Sequence, residues 1–589
     1  MNQKKHFFLL IFLLFTAYTE GVASSILERL VTLKAQNRPL GDVLKDISKQ
    51  AEFHFSYNSN IISTEKKVSI VSQSETVRAV LKNLLGTQFQ YKQKGNYLII
   101  QKLKADEQLI SGYVKDKKTG KNLENVTVYD KKSLASATTD STGYYEIITR
   151  KPIEQLTVAR FNYGDTSFQI RSIKDTPPQY IDVSLIPKLE MPPKDESIKV
   201  KIDIEKSPKD EFEEQTILSN LEIRQAIRHS VAELQRITER NITEDLLRKW
   251  QFSIVPYVGT NLALSGNVVN KFSFNATVGY SKGNKVLEVG GIGNINQGKV
   301  TGIQAASLFN IVNGDMKGIQ ISGIVNRTTT AQGLQVSFIT NNTDKIGRGI
   351  QIAGINNHAD IGQRGVVQIA GIVNKIGAGR TALQVAGIIN EADTVGIQIG
   401  LLNNANRLRG VQIGLINIAD TSSGILLGLL NIVKKGYHVL EVSTNDVTPF
   451  NLAYRTGTKR FYTIYSVGGQ PKITGFKNDI LSGGVGFGTS FWLGKTVGLT
   501  LDATAHRFSI DGAFDNHGVL VKLTPALNIQ LTKKFGIALA PVWNSYYLNS
   551  KNQNPEDISR LKTHVIPPKA KASGDWMQWW GWSASLRFF

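Results

Sequence analysis

Between Glu288 and Val433, apolar and polar positions alternate in one short phrase that recurs ten times. The clearest copies are GIQISGIVN (318–326), GIQIAGINN (349–357), VVQIAGIVN (366–374), ALQVAGIIN (382–390) and GVQIGLIN (410–417). A Gln recurs at 304, 320, 335, 351, 368, 384, 398 and 412, every 14 to 17 residues, with Glu288 in its slot in the first copy and Leu426 in the last. Around Gln351, Ile350, Ile352 and Gly354 share one side, and Gln351, Ala353, Ile355 and Asn357 share the other. A period of two predicts β-strands. Gly, Asn, Asp, Lys and Arg fill the joints, as in Asn313-Gly314-Asp315 and Gly377-Ala378-Gly379.

Three architectures can use such strands. A transmembrane barrel needs roughly 9–11 residues per tilted strand plus a turn, with an apolar outer face and a more polar inner one. A β-solenoid stacks the copies as parallel coils, and the variable period speaks against coils held in register. A soluble sandwich must protect its edges. The flanks favour the barrel. WQFSIVPYVGT (250–260) and KFSFNATVGY (271–280) precede the repeats, and about eight alternating segments follow, from HVLEVSTND to the terminal WWGWSASLRFF. Two leading strands, ten repeats and these eight predict a C-terminal antiparallel transmembrane barrel of about 20 strands over 251–589, with the β-solenoid as the alternative. Phe461, Tyr462, Tyr465, Trp492, Trp543, Tyr546, Tyr547, Trp579, Trp580 and Trp582 cluster near strand ends, as an interfacial girdle does. In the last strand Trp580, Trp582, Ala584, Leu586 and Phe588 form the apolar set, one residue out of phase with Phe589.

The front of the chain follows other patterns. Met1–Ser24 reads as a secretory signal, with Lys4 and Lys5 ahead of FFLLIFLLF and small residues at Gly21, Ala23 and Ser24. Residues 25–104 alternate strand and helix. Leu40, Val43, Leu44, Ile47 and Ala51 mark one helix face. Val77, Val80, Leu81 and Leu84 mark another, entered from Ser74 as N-cap and stopped by Gly86. FHFSYN, KVSI, FQYK and NYLIIQK are strands. The TLKAQNRPLGDVLKDIS opening, the VSI strand, VRAVLKNLLG and the closing NYLII resemble the short N-terminal domain of secretins and TonB-dependent receptors. That resemblance implies a small α+β periplasmic domain that docks proteins or passes a signal to an inner-membrane regulator.

Residues 108–187 read as all-β, with turns at Thr119-Gly120 and Thr142-Gly143. Gly112-x-Val114-x-Asp116, the Asn125–Val128 strand and DSTGYY (140–145) resemble the carboxypeptidase regulatory-like domain, which implies an immunoglobulin-like sandwich and no peptidase activity. Residues 188–250 form a charged linker with an amphipathic stretch carrying Ile217, Leu221, Ala226, Val231, Leu234, Ile237, Leu246 and Leu247. The repeats resemble surface-repeat proteins of Gram-negative envelopes, a resemblance that implies a location and no activity. A plug for gated import needs well over a hundred residues, and about sixty separate the sandwich from the first strand.

Composition changes this picture little. The chain has no Cys, so disulfides and thiolate sites are excluded. The net charge is +21, of which +15 falls from Gln251 onward, with 31 Lys and Arg against 16 Asp and Glu. No basic run in the strand region exceeds two residues, so the excess reads as turns and loops. Export and the lack of a basic–aromatic module exclude nucleic acid as a partner. His358, His438, His506, His517 and His564 show no ligand spacing, and no nucleophile or phosphate-loop motif stands out, so no enzyme, cofactor or metal is expected. Asp511 and Asp515 read as a solvated turn rather than a Ca²⁺ loop. The remaining candidates are the recurring amides: Gln304, Gln320, Gln335, Gln351, Gln368, Gln384, Gln398 and Gln412, with Asn310, Asn326, Asn357, Asn374 and Asn390. In a barrel they form a lumen-facing polar ladder, which either passes neutral solutes or satisfies a narrow interior through hydrogen bonds.

The expectation is an outer-membrane barrel with residues 25–250 in the periplasm, its partners being outer-membrane lipid and a periplasmic or inner-membrane regulatory protein reached through 25–104. Its alternatives are a porin-like conduit and a surface β-solenoid adhesin or scaffold.

Overall fold

The computed structural model describes residues 26–86, 88–104, 106–170, 179–188, 233–470, 480–494, 496–510, 518–548, 565–573 and 575–589. The predicted signal segment, linker residues 189–232, and Asp511 and Asp515 lie outside them. The protein is mainly β and divides into two compact units, residues 1–269 with 280–282, and 270–279 with 283–589.

In the first unit the strand Leu30–Pro39 pairs antiparallel with Lys67–Thr76. His54–Tyr57 runs parallel to Tyr97–Lys102, which pairs antiparallel with Phe89–Lys94. Helices Leu40–Gln50 and Val77–Leu85 bury the apolar faces read from their spacing: Leu40, Val43, Leu44 and Ile47 on one, Val77, Val80, Leu81 and Leu84 on the other. The N-cap of the second helix is Thr76, whose hydroxyl accepts from Ala79 N at 3.2 Å. Ser74, expected in that role, sits two residues earlier within the strand. Gly86 ends the helix at φ +82°, a conformation open to glycine.

Residues 108–187 form two four-stranded sheets around a core that includes Ile110, Val114, Val128, Tyr145, Ile147, Leu156, Val158 and Leu185. Gly112 is required here, because a Cβ on it would stand 1.8 Å from Ile181 O. Asp116 Oδ1 accepts from Lys118 N and Thr119 N at 2.7 and 2.9 Å and fixes the turn at Gly120. Arg78 ties this region to the helical one: it pairs with Glu28 at 2.8 Å, lies 3.6 Å from Asp140 and stacks 3.7 Å from the Tyr144 ring. Helix Glu233–Asn241 joins the same unit. Its Asn241 amide donates to Asn125 O at 2.7 Å, and Tyr129, Leu134 and Ala159 pack with Ile242, Leu246, Leu264 and Val268.

The second unit departs from the predicted barrel of about 20 strands. From Gly283 to Val433 every strand pairing is parallel, and each repeat is one coil of a β-solenoid. Gln304 lies beside Gln320, Gln320 beside Gln335, and so on to Gln412 beside Leu426. The variable period does not break this register. It is absorbed on the third side of the coil, at irregularities such as those between Val312 and Asp315 and between Ile376 and Arg380. Strand length and alternation are common to a barrel strand and a solenoid coil. The recurrence of one residue in one slot separates them, because only parallel in-register stacking sets identical side chains above one another.

The barrel itself closes with eight strands: Tyr437–Asn445, Phe450–Thr458, Phe461–Gln470, Ile480–Leu493, Val497–Ile510, Val519–Gln530, Phe535–Tyr547 and Trp576–Phe588. Each pairs antiparallel with the next, and the last returns to the first through Leu440 opposite Phe588 to Asn445 opposite Ser583. These are the eight trailing segments of the sequence. Connections at one end are short, as at Thr458–Phe461 and Gln530–Phe535; at the other, Asn445–Phe450 is short and the rest are long, as from Gln470 to Ile480 and from Tyr547 to Trp576. An eight-stranded barrel is narrow enough for side chains to fill.

Candidate functional site: amide ladders and a filled barrel

Within each coil, two slots point inward and are sealed from solvent. In the Gln slot, the side chains of Gln304, Gln320, Gln351, Gln368, Gln384, Gln398 and Gln412 are fully buried, and Gln335 nearly so. Each Nε2 donates to the Oε1 of the preceding coil: Gln320 to Gln304 at 2.9 Å, Gln335 to Gln320 at 2.8, Gln351 to Gln335 at 2.9, Gln368 to Gln351 at 2.8. Gln384, Gln398 and Gln412 continue at 2.9, 2.8 and 2.7 Å. The donors therefore all point towards the first coil, where Gln304 donates to Glu288 Oε2 at 2.9 Å. A carboxylate only accepts, so Glu288 suits the receiving end. Burial raises its pKa from 4.5 to about 7, against the hydrogen bonds from Gln304 and Asn296. At the far end the slot holds Leu426, and Gln412 Oε1 is buried with no hydrogen-bond partner among the described residues.

The Asn ladder runs the other way. Asn294 donates to Asn310 at 2.9 Å, Asn310 to Asn326 at 3.0, Asn326 to Asn341 at 2.9, Asn341 to Asn357 at 2.9, Asn357 to Asn374 at 3.0 and Asn374 to Asn390 at 3.0. Asn390, Asn403 and Asn417 extend it at 2.9, 2.8 and 2.7 Å to Asn431. Each amide from Asn294 to Asn417 also donates to a carbonyl where the next Gln strand ends, as Asn357 does to Ile369 O at 2.8 Å and Asn374 to Val385 O at 2.7 Å. Asn thus ties the corner of every coil, satisfying a backbone acceptor that the bend would leave unpaired. The corner is tight enough to demand glycine: a Cβ on Gly371 would meet Gly354 O at 2.1 Å.

The structure brings together all thirteen amides singled out from the sequence, as members of two ladders. They face a solenoid interior and spend their polar atoms on one another, with small residues such as Ala353, Ala370 and Ala386 beside them and aliphatic clusters, such as Ile346 with Val366 and Ile376, on the third side. The ladder also holds Asn294, Asn341, Asn403, Asn417 and Asn431, which the sequence reading passed over; a fixed offset of five or six residues from each Gln would have found most of them.

A second polar cluster went unnoticed. Inside the barrel, Arg455 lies 2.9 Å from Glu441 and 2.8 Å from Asp502, and Arg587 lies 2.6 Å from Glu441. Tyr462 donates to Asp502 at 2.6 Å, and Arg587 also donates to Asn528. All four charged side chains are under a tenth exposed. The signal was a charge in the inward phase of an aliphatic alternation, as in Leu440-Glu441-Val442 and Leu586-Arg587-Phe588. Nearer the long connections, Phe508, Leu520, Tyr546 and Trp579 pack with Val565 and Ile566. The expected girdle divides accordingly: Tyr462, Tyr546 and Trp579 turn inward, whereas Trp580 and Trp582 are exposed.

The outer wall is apolar. Leu440, Leu452, Val467, Val485, Leu499, Leu501, Leu527, Leu539 and Leu586 are each more than a third exposed. Pairing lapses between Leu523–Trp543 and Leu527–Leu539, around Pro525 and Pro541, leaving a groove of about 450 Å³ lined by Phe491, Leu499 and Leu527.

These features define a mainly β chain that joins an amide-cored solenoid to a closed eight-stranded barrel. Compared with protein-family models and with curated protein sequences, the chain matches none of either.

Proposed function

We propose that this chain is a membrane-anchored scaffold whose eight-stranded barrel sits in the outer membrane and whose residues 25–250 serve protein docking or signal relay in the periplasm. The carrying observation is the polarity of the barrel wall, aliphatic outside and charged inside, which suits hydrocarbon around it and suits water poorly. Closure of the eight strands satisfies the wall's backbone, the condition for a strand structure in lipid. Among the described residues no helix is long and apolar enough to cross a membrane, so the barrel is the candidate anchor. A conduit for neutral solutes finds less support, because the Arg455–Glu441–Asp502–Arg587 network and the Phe508–Trp579 cluster occupy the barrel's interior. The docking role of residues 25–104 rests on their resemblance to the secretin and TonB-receptor domain.

Extraction and electrophoresis test the anchor. The expected result is retention in membranes through urea and carbonate, release by detergent, and a folded band that shifts on boiling. Release by urea with no boiling shift would sink it.

A further inference from the structure

The solenoid is polar inside and aliphatic on part of its outside. Flanking the Gln slot, Ile303, Ile321, Ile350, Ile352, Ile369, Ile397, Ile399, Ile413 and Leu427 are each more than a third exposed. The corner row adds Ile324, Ile355, Ile372, Ile388, Leu401, Leu415 and Leu429; strict alternation set Ile355 on the side of Gln351, but the bend at Gly354 turns it outward. Over nine coils at about 4.8 Å per coil this stripe is roughly 40 Å long. Monomeric soluble proteins rarely leave so long an apolar surface uncovered. The exposed charges lie on the third side of the coil instead, at Lys317, Lys345, Arg348, Arg364, Arg380, Arg407 and Arg409, with Asp315 and Asp360 among them.

The last coil shows how this stripe meets the barrel. Asn431 ends its ladder on the barrel's outer wall, donating to Thr463 Oγ1 at 2.5 Å. Thr463 is outward-facing yet buried, because the coil covers it. Two residues further from the short Thr458–Phe461 turn, Tyr465 donates to Leu429 O. On the turn side, His438 Nε2 lies 2.6 Å from Val433 O. The coil therefore descends the wall in order: corner residue Leu429 level with Tyr465 and Tyr454, Asn431 level with Thr463, and Val433 with the following Lys434 and Lys435 towards the short-turn rim. The aliphatic corner row is thus on the side of the barrel's apolar belt, and the charged side is turned to the rim.

We propose that the solenoid lies flat on the bilayer at the barrel's short-turn end, with its Ile/Leu stripe immersed in lipid acyl chains and its Lys/Arg side in water. This rests on the barrel being the membrane anchor. The occupant follows from continuity: the stripe meets the belt at Leu429 and Tyr465, and a surface helix with the same division of faces sinks about 5–10 Å into the interface. The inside-out interior fits, since the amides need no water from either side.

The test uses the native lack of cysteine. Full-length single variants Ile352→Cys, Ile399→Cys, Arg364→Cys and Leu527→Cys are labelled with an environment-sensitive fluorophore and reconstituted into phosphatidylcholine vesicles with and without acyl-chain bromine. All four positions are exposed, and the boiling shift checks that each variant has folded. The expected result is quenching at 352 and 399 comparable with that at 527 and about threefold or more above that at 364, as immersion to that depth requires. Quenching at 527 with none at 352 and 399 overturns the inference and leaves the anchor standing. No quenching at 527 removes the anchor reading as well. Labels at 352 and 399 that are shielded but unquenched, with or without energy transfer between copies, show a second copy or another protein segment on the stripe and also overturn it.

Discussion

The solenoid and the barrel share a layout, aliphatic outside and polar inside, but they satisfy the interior in opposite ways. In the solenoid, parallel stacking in register sets the same residue over itself, so a neutral amide that both donates and accepts can repeat from Gln304 to Gln412. In the barrel, antiparallel closure brings unlike residues together, and four charges meet once, between Glu441, Arg455, Asp502 and Arg587. A ladder spreads its hydrogen bonds over many equivalent tiers, whereas a charge cluster concentrates them. Damage to the two regions should differ in size accordingly.

The largest effect is expected in the barrel. Arg455→Met leaves Glu441 and Asp502 buried with one cation fewer, at a cost of about 3–5 kcal/mol. The temperature at which the folded gel band is lost should fall markedly, while the unfolding of the solenoid signal stays put.

Next comes the receiving end of the Gln ladder. Because burial holds the Glu288 pKa at about 7 rather than 4.5, the folded chain keeps a proton that the unfolded chain releases between those values. Stability therefore falls as pH rises from about 4.5 to 7 and is level above, by up to roughly 3 kcal/mol at 1.36 kcal/mol per unit. Glu288→Gln restores the amide of the other coils and should abolish that slope, stabilising the chain at pH 8 and not at pH 4. Urea unfolding followed by circular dichroism at both values checks the sign.

A mid-ladder break should cost less. Gln368→Leu takes away the donor to Gln351 and the acceptor of Gln384, at about 1–3 kcal/mol. The reverse change at the ladder's end should be nearly neutral. Leu426→Gln supplies a donor to Gln412 Oε1 and leaves its own oxygen unpaired, so the change should stay within about 1 kcal/mol. Equal losses at 368 and 426, measured by urea midpoint, would mean that the slot tolerates shape alone and that the ladder contributes nothing.

Much of this was legible one strand at a time. The helix faces at Leu40–Ile47 and Val77–Leu84, the Gly86 stop, the two glycine turns of residues 108–187 and the eight trailing barrel strands all follow from local periodicity and turn chemistry. Pairing partners did not follow, because alternation says which face a residue is on and nothing about which strand lies beside it. The glycine of the phrase, read as one more position on the strand's aliphatic face, was the neglected clue: Gly354, Gly371 and Gly387 recur at one corner because each backbone rests on the coil before it, a contact an antiparallel hairpin does not make. The amides were found, and their role depends on partners one coil away. Arg455 and Arg587 were hidden for the same reason: Glu441 lies on the strand next to that of Arg455, but Asp502 for Arg455 and Glu441 for Arg587 lie on strands distant in sequence.

Both interiors are filled, and ion conductance tests that most directly. The purified full-length protein, shown to be folded by its boiling shift, is added to a planar bilayer at a range of voltages. Filled interiors predict a baseline no different from lipid alone. Reproducible conductance steps that scale with added protein and vanish with boiled protein would contradict a packed barrel and a sealed amide core.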